Sequence, residues 1–457
     1  MIRKKLSFFK SFVFILFYLF VHVQSQTASD AVRLFENEKG FGTIAMGLSG
    51  TFTSSSNDFS AIYWNPAGLA SIKKSTLNIE FNNNFFLNEV KFLGNTFDNS
   101  INDNYLNSLG GTYSVPTKRG SLVLAFGISN IGDYNYKSNF SGLSNSNNNL
   151  NFPIIIDNNE STYLFNENVF REEEISSLGK ISQVSFGFGI LLTEKTSFGM
   201  SINSIHNQEN YSFKFNQNDS LNKFEIFPAD FKSYNINQSL QLNAKGNRIS
   251  LGFITRLTNT FKTGVNFNMP FNYNVNEKHL LNENLTFDNS STSDTTFVSN
   301  FDYKIKSPYN LSYGISLKLK SLFLATSIKF QNWSNIKLKD NNNSENYFIQ
   351  ENFIIGNEYN STIQLNLGTK YTFKINNLGT SLILGYSHFP SFIKLDNSSK
   401  KETFSSGISI NFKHEVICNL SAQQSDWKIF ASDNYSPSGT EESIKKIIYS
   451  INLIIGI

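Results

Sequence analysis

The reading of this chain turns on residues 58–70, Asp-Phe-Ser-Ala-Ile-Tyr-Trp-Asn-Pro-Ala-Gly-Leu-Ala. Pro66 has no N–H and disfavours helix at Asn65. Gly68 permits a sharp backbone turn. Around that turn stand Phe59, Ile62, Tyr63, Trp64 and Leu69, apolar side chains that need cover. The stretch is compact, irregular and in want of an enclosing structure. Its flanks say what that structure is.

Upstream, Arg3, Lys4 and Lys5 form a basic start, and Ser11 to Val23 is almost wholly apolar. Val23 and Ser25 suit the −3 and −1 positions of a cleavage site, so residues 1–25 read as a secretory signal peptide and the mature chain starts at Gln26. The apolar run of about 13 residues falls short of the ~20 that span a bilayer as a helix. No Cys lies at the cleavage point, which argues against a lipoprotein. Loss of Arg3, Lys4, Lys5 and Lys10 leaves 35 basic against 36 acidic residues, a balance of −1. The +3 of the whole chain belongs to the signal, and no basic footprint for nucleic acid remains. Cys418 is the single cysteine, so no intrachain disulfide forms.

Over the whole chain, 45 Phe and 19 Tyr accompany a mean hydropathy of −0.25, with no second helix-forming apolar span. The apolar residues are hidden in alternation. Leu311, Tyr313, Ile315, Leu317 and Leu319 share one parity; Ser312, Gly314, Ser316, Lys318 and Lys320 share the other. Side chains of a strand point alternately to its two faces, so this is a two-sided strand. Residues 121–129, 363–373 and 447–457 repeat the pattern. A soluble sandwich shows the same period; connection lengths separate the two. Short connections at 116–120, 193–196, 258–260, 320–321, 374–378 and 413–415 alternate with longer polar segments at about 88–103, 132–180, 216–232, 276–302, 336–360, 390–402 and 426–443. Short turns on one side and long loops on the other are the mark of an outer-membrane barrel.

The chain thus reads as all-β. It is a 14-stranded antiparallel transmembrane β-barrel over residues 75–457, preceded by a plug over residues 26–74 in its lumen. The strands fall at about 75–87, 104–115, 121–131, 181–192, 196–215, 233–257, 260–275, 303–319, 322–335, 361–373, 379–389, 403–413, 415–425 and 444–457. An even count puts both barrel ends on the periplasmic side, and closure leaves no unpaired edge in lipid. Ala244-Lys245-Gly246-Asn247 has hairpin-turn chemistry but is read as a glycine bulge within one long strand. In the plug, Ser29 or Asp30 caps a short helix running to about Glu38. The Asn- and Ser-rich long segments, such as 144–149, read as mobile outer loops.

The pattern Gly47, then Asp58-x-Ser60-Ala61-x-Tyr63-x-Asn65-Pro66-Ala67-Gly68-Leu69, resembles the FadL/TodX family of hydrophobic-compound channels and the related PorV-like components of type IX secretion. Ser307-Pro308 and Asn332-Trp333-Ser334 extend the resemblance along the barrel. It implies a hatch whose movement lets apolar ligands leave through a lateral opening beside a kinked strand. Strand 3, with Gly127, is the expected kink. Asn65, Pro66, Ala67 and Gly68 carry over as hatch and gate residues. Phe59, Tyr63 and Trp64 either pack the hatch or meet a ligand. The expected partners are a hydrophobic small molecule or fatty acid in a bacterial outer membrane of lipid and lipopolysaccharide. The alternative is a PorV-like shuttle that binds secreted protein cargo. A dry lumen favours the channel; a polar lumen with a wide ordered outer rim favours the shuttle.

Enzyme readings find no support. His22, His206, His279, His388 and His414 are scattered, with no metal-ligand spacing, and no nucleophile elbow or phosphate loop occurs. No catalytic residue, metal or cofactor is expected. Glu172-Glu173-Glu174 reads as a solvated acidic face.

Overall fold

The computed structural model describes residues 28–457 apart from 157–158, 166–167, 226–229, 395–399 and 413–414. The signal segment, the cleavage site, His22, His414 and part of the 413–415 turn lie outside the described residues.

Four short helical pieces open the described chain: α1 (Ala28–Glu36), α2 (Thr43–Gly47), α3 (Ala61–Trp64) and a 3-10 turn (Pro66–Ser71). Ser29 and Asp30 sit inside the first turn of α1. The helix ends at Glu36, two residues before the expected Glu38.

Fourteen antiparallel staves follow. They are β1 (Thr76–Phe92), β2 (Asn95–Val115), β3 (Leu122–Asp133, resuming as Tyr136–Ser144), β4 (Val169–Leu191), β5 (Thr196–Asn218), β6 (Phe231–Arg256), β7 (Phe261–Asn268, resuming as Asn272–Phe287), β8 (Thr292–Lys306, resuming as Asn310–Leu319), β9 (Leu322–Asn332, resuming as Lys337–Lys339), β10 (Ser361–Ile375), β11 (Leu378–Phe389), β12 (Lys401–Asn411), β13 (Val416–Ala431) and β14 (Thr440–Gly456). Each pairs with its chain neighbours, and β14 closes on β1 from Thr76↔Gly456 to Lys91↔Glu441. A separate hairpin, Asn151–Ile156 with Asn159–Leu164, stands between β3 and β4.

The burial pattern is inverted with respect to a water-soluble protein. Phe126 is 60% exposed, Ile363 58% and Leu384 58%, while Asn84, Asn203 and Asn207 are fully buried. On β1, Leu77 and Phe81 face out and Asn78, Glu80, Asn82 and Asn84 face in. A soluble monomer rarely shows an apolar surface this continuous. A sheet closed on itself with apolar outside and polar inside is a barrel built for lipid.

The staves are longer than the alternation predicts. β4, β5 and β6 hold 23, 23 and 26 residues, or roughly 75–85 Å at about 3.3 Å per residue. A bilayer crossing uses only about 9–11. Most of 88–103, 132–180 and 276–302, expected as loops, is therefore strand. β1 and β2 meet in a two-residue turn at Leu93 (φ 47°) and Gly94 (φ 83°), the twist that tight hairpins favour. Beyond the lipid, both faces of a stave tolerate polar residues, and the apolar alternation that marks a strand in sequence disappears. The 336–360 segment instead holds α4 (Ile349–Glu358).

β6 is one continuous strand, as expected, yet Gly246 is no bulge. Its pairing with β5 runs unbroken through His206↔Lys245 and Ile205↔Gly246. The interruption lies in the neighbour, β7, where Pro270 breaks the ladder. Phe271 packs so close over Gly246 that a Cβ there would meet its ring.

Residues 28–72 touch the inward faces of the wall on opposite sides. Ser201 Oγ of β5 donates to Ile62 O at 2.8 Å, and Ser405 Oγ of β12 donates to Gly47 O at 2.7 Å. One apolar cluster runs from Ala31, Leu34 and Phe35 of α1 through Tyr273 and Tyr303 to Trp333, Phe348 and Ile355 at the rim.

Candidate functional site

Asn65 is the seat of the N-terminal segment. It is extended (φ −166°, ψ 102°), as its position before Pro66 requires, and it has no solvent exposure. Its Oδ1 accepts the Ala67 N–H at 3.1 Å. Its Nδ2 donates to Thr53 O at 2.6 Å and lies within bonding distance of two wall carbonyls, Val265 (3.2 Å) and Phe253 (3.3 Å). Ser56 Oγ donates to Asn65 O at 3.1 Å. Pro66, Ala67 and Gly68 are buried behind it. The wall makes room with glycine: a Cβ at Gly199 of β5 would overlap Pro66, and one at Gly252 of β6 would overlap Asn65 Oδ1. Gly199→Val should destabilise the seated segment by about 1–3 kcal/mol, the usual cost of overpacking. Limited proteolysis within residues 50–75 reads this, and an unchanged cleavage pattern would contradict it.

The three aromatic candidates sit close by, each held by packing. Phe59 is buried against Phe41 (5.6 Å between rings) and lies over Gly110 of β2 and Gly127 of β3. Trp64 Nε1 donates to Phe41 O at 2.7 Å. Tyr63 meets Trp64 edge-on at 5.0 Å, with the Arg248 guanidinium 5.3 Å from its ring. Asp58 accepts both N–H (2.8 Å) and Oγ–H (2.6 Å) of Ser60, which fixes the turn into α3. Burial still pushes the Asp58 carboxyl above its usual range.

The wall is incomplete beside this segment. β2 and β3 pair from Val115↔Leu122 to Ser108↔Ser129 and no further. Both strands bulge there. Opposite β1, Glu80 pairs with Ser108 and Phe81 with Leu106, which skips Asn107. Opposite β4, Asn130 pairs with Ser182 and Gly132 with Ile181, which skips Ile131. Above the bulges β2 follows β1 while β3 follows β4. A cavity of about 420 Å³ occupies the seam. Outward Leu106, Ile128 and Val184 line it together with inward Asn107, Ser129 and Gln183, so it cuts into the thickness of the wall. Side chains still span the seam: Asn130 Nδ2 donates to Leu106 O at 3.0 Å beside the cavity, Asn99 Nδ2 of β2 to Asn139 O of β3 at 3.3 Å farther up, and Lys180 of β4 reaches Asp103 of β2 at 3.3 Å. The interruption lies three residues beyond Gly127, which is itself paired with Gly110.

Residues 38–42 reach one edge of that seam directly and the other through Glu80 of β1. Lys39 N–H and Gly40 N–H donate to Ile131 O at 2.6 and 2.9 Å, and Glu38 bridges to Gly132. On the other edge, Glu80 Oε1 accepts Asn107 Nδ2 at 2.7 Å and Gly42 N–H at 3.4 Å. Ion pairs add to the hold: Glu38 with Arg248, Lys39 with Asp133 at 3.3 Å, and Arg33 with Glu209 at 2.8 Å. Burial opposes charge on Glu38, but Arg248 outweighs it and keeps the carboxyl below its usual range.

Asn107, Ser108, Ser129, Asn130 and Ile131 were not singled out from sequence. A signal was there: Asn130 falls on the lipid-facing parity of Leu122, Leu124, Phe126 and Ile128. Among the described residues no three His, Cys, Asp or Glu side chains converge on a metal-sized site.

No protein-family model matches the chain, and no curated protein matches it in sequence. Solved structures do match in shape. The toluene transporter TodX of Pseudomonas putida superposes at a TM-score of 0.59 with 15% identity, covering 92% of this chain and 99% of its own. The fold is that of the FadL-type channels. The CymD monoaromatic hydrocarbon channel matches at 0.55 and 13% (92% and 98% covered), and a Pseudomonas aeruginosa FadL homologue at 0.57 and 12% (92% and 99%). With its apolar belt, the chain is an outer-membrane barrel of this FadL-type architecture.

Proposed function

We propose that the protein is a passive channel that admits small hydrophobic molecules from the outer face and releases them sideways into the membrane at the β2–β3 seam, with residues 26–74 as its hatch. The observation that carries this reading is the seam itself, where β2 and β3 stop pairing beside a cavity of about 420 Å³. An apolar solute gains nothing from a water-filled pore, and a lateral exit delivers it to lipid directly. The toluene and monoaromatic-hydrocarbon channels sharing the fold support the substrate class. Fatty acids remain the larger candidates. Asn65, Pro66, Ala67 and Gly68 serve as the hinge that seats the hatch. Phe59, beneath the last paired residues of β2 and β3, is the ring a passing ligand meets; Tyr63 and Trp64 back it.

Uptake of labelled oleate and labelled toluene by liposomes carrying the protein tests the function. No uptake above protein-free liposomes would reject it. Deleting Asn65-Pro66-Ala67 tests the gating: a folded barrel with unchanged uptake rejects the hatch role. Asn130→Ala removes the side-chain bond that crosses the seam beside the cavity, worth about 0.5–1.5 kcal/mol. Uptake should rise roughly 2- to 10-fold, and an unaltered rate would show that Asn130 does not restrain the opening.

One observation favours the secretion-shuttle reading. The lumen is lined by polar side chains such as Asn78, Asn82, Asn84 and Asn88, and the tall β4–β6 wall forms an ordered outer rim. Under that reading the barrel takes up neither oleate nor toluene and instead retains a secreted protein at the cell surface.

A further inference from the structure

The short-turn end of the barrel separates charge sharply. Residues 71–76, 115–122, 191–196, 256–262, 318–322, 370–378 and the described part of 411–416 contain eleven Lys and Arg but two carboxylates, Glu194 and Glu415. The mature chain as a whole is close to neutral, so this end is a segregated positive pole.

Six of these cations face the axis. Lys73, Lys195, Arg256 and Lys262 line a recess of about 510 Å³ beneath Ala67, Gly68 and Ala70 of the hatch. Lys318 and Lys370 share the inward parity of Gly314, Ser316, Thr362 and Asn366. The outward positions at this level are apolar: Leu257, Leu319 and Tyr371.

No ion pair within the fold neutralises them; Lys370 alone is drawn inward, toward Asp58 and over the Phe323 ring. Deeper in the lumen Arg33, Lys39, Arg248 and Lys446 are all ion-paired. Among the described residues none of the six mouth cations is. Lys262 even stands directly opposite Arg256 across the β6–β7 ladder, an arrangement that destabilises a sheet. A cluster that costs stability and forms no ion pair within the fold is complementary to something outside.

We propose that this mouth is a docking site for an acidic segment of a soluble protein on the periplasmic side. The arc from Lys195 to Lys370 crosses β5 to β10, roughly 24 Å at about 4.8 Å between strands. One phosphate or carboxylate reaches only one or two of these charges, whereas an acidic peptide spans them. Lipid headgroups lie at the outer perimeter, which the apolar residues occupy.

Binding of fluorescein-labelled decaglutamate to the full-length barrel in neutral detergent, read by anisotropy, tests this. Binding is expected at low salt and should weaken steeply as salt is raised. The triple change Arg256→Glu/Lys262→Glu/Lys318→Glu should weaken it at least about tenfold, and the triple Gln variant by about threefold or more. Lys91→Glu/Lys428→Glu at the opposite end should leave it unchanged. Equal binding by the mouth and opposite-end variants, or none by the native barrel, overturns the proposal. Displacement by millimolar inorganic phosphate overturns it in favour of a small anion. Displacement by phosphatidylglycerol vesicles but not phosphatidylcholine vesicles overturns it in favour of lipid.

Discussion

Ser129→Trp should reduce uptake of labelled toluene and oleate at least about tenfold, which corresponds to roughly 1.4 kcal/mol on the rate-limiting step. Ser129 is 5% exposed, forms the last backbone pair between β2 and β3, and lines the seam cavity. An indole at that position fills much of a space of about 420 Å³. Ser406→Trp, on the lipid face of β12, adds the same bulk elsewhere and should leave uptake unchanged. A Ser129→Trp barrel that retains its folded mobility on gels and transports at the native rate would remove the seam from the route.

Asn65→Ala should release residues 61–72 from the wall. The substitution deletes the donor shared by Thr53, Phe253 and Val265 carbonyls and the acceptor of the Ala67 N–H, all in a site closed to water. Each buried polar group left without a partner costs about 1–3 kcal/mol. Relaxation recovers part, so a net loss of about 3–5 kcal/mol is expected. Hydrogen exchange of the amides at 61–72 should then accelerate at least about a hundredfold, while the strand amides of β4 and β5 keep their protection. Native-like protection at 61–72 in this variant would show that Asn65 does not hold the segment.

The two substitutions act at opposite ends of one connected structure. Residues 38–42 bond to Ile131 on one edge of the seam and to Glu80, which holds Asn107 on the other, and Asn65 seats the same segment against β6 and β7. A hatch displaced at Asn65 is expected to disturb Ile131 and Glu80, so the Asn65→Ala and Asn130→Ala effects on uptake should be less than additive, as for residues in one network.

The parts of the fold legible in sequence share a physical cause. A lipid-facing stave must present apolar side chains at every second position, so 121–129, 363–373 and 447–457 declared themselves. Short turns must alternate with longer connections in a closed antiparallel barrel, and that alternation yielded the fourteen staves. The Asn65-Pro66 turn was legible because proline restricts its predecessor. The rim was illegible: outside the bilayer both faces of β4–β8 meet water or protein, and no two-residue period survives to distinguish strand from loop.

The sequence by itself thus determined a lipid-embedded barrel and a compact turn that needed enclosure, because both follow from local stereochemistry and the solvent each face must meet. Only the tertiary structure decided where the wall parts. Asn107 and Asn130 lie 23 positions apart and Ile131 lies about 90 from Lys39; pairing between such segments depends on where each neighbouring strand stops bonding, which no local pattern records. Tertiary structure alone also placed Gly199 and Gly252 beneath Pro66 and Asn65, since close approach of two backbones is a property of both chain segments and of neither one alone.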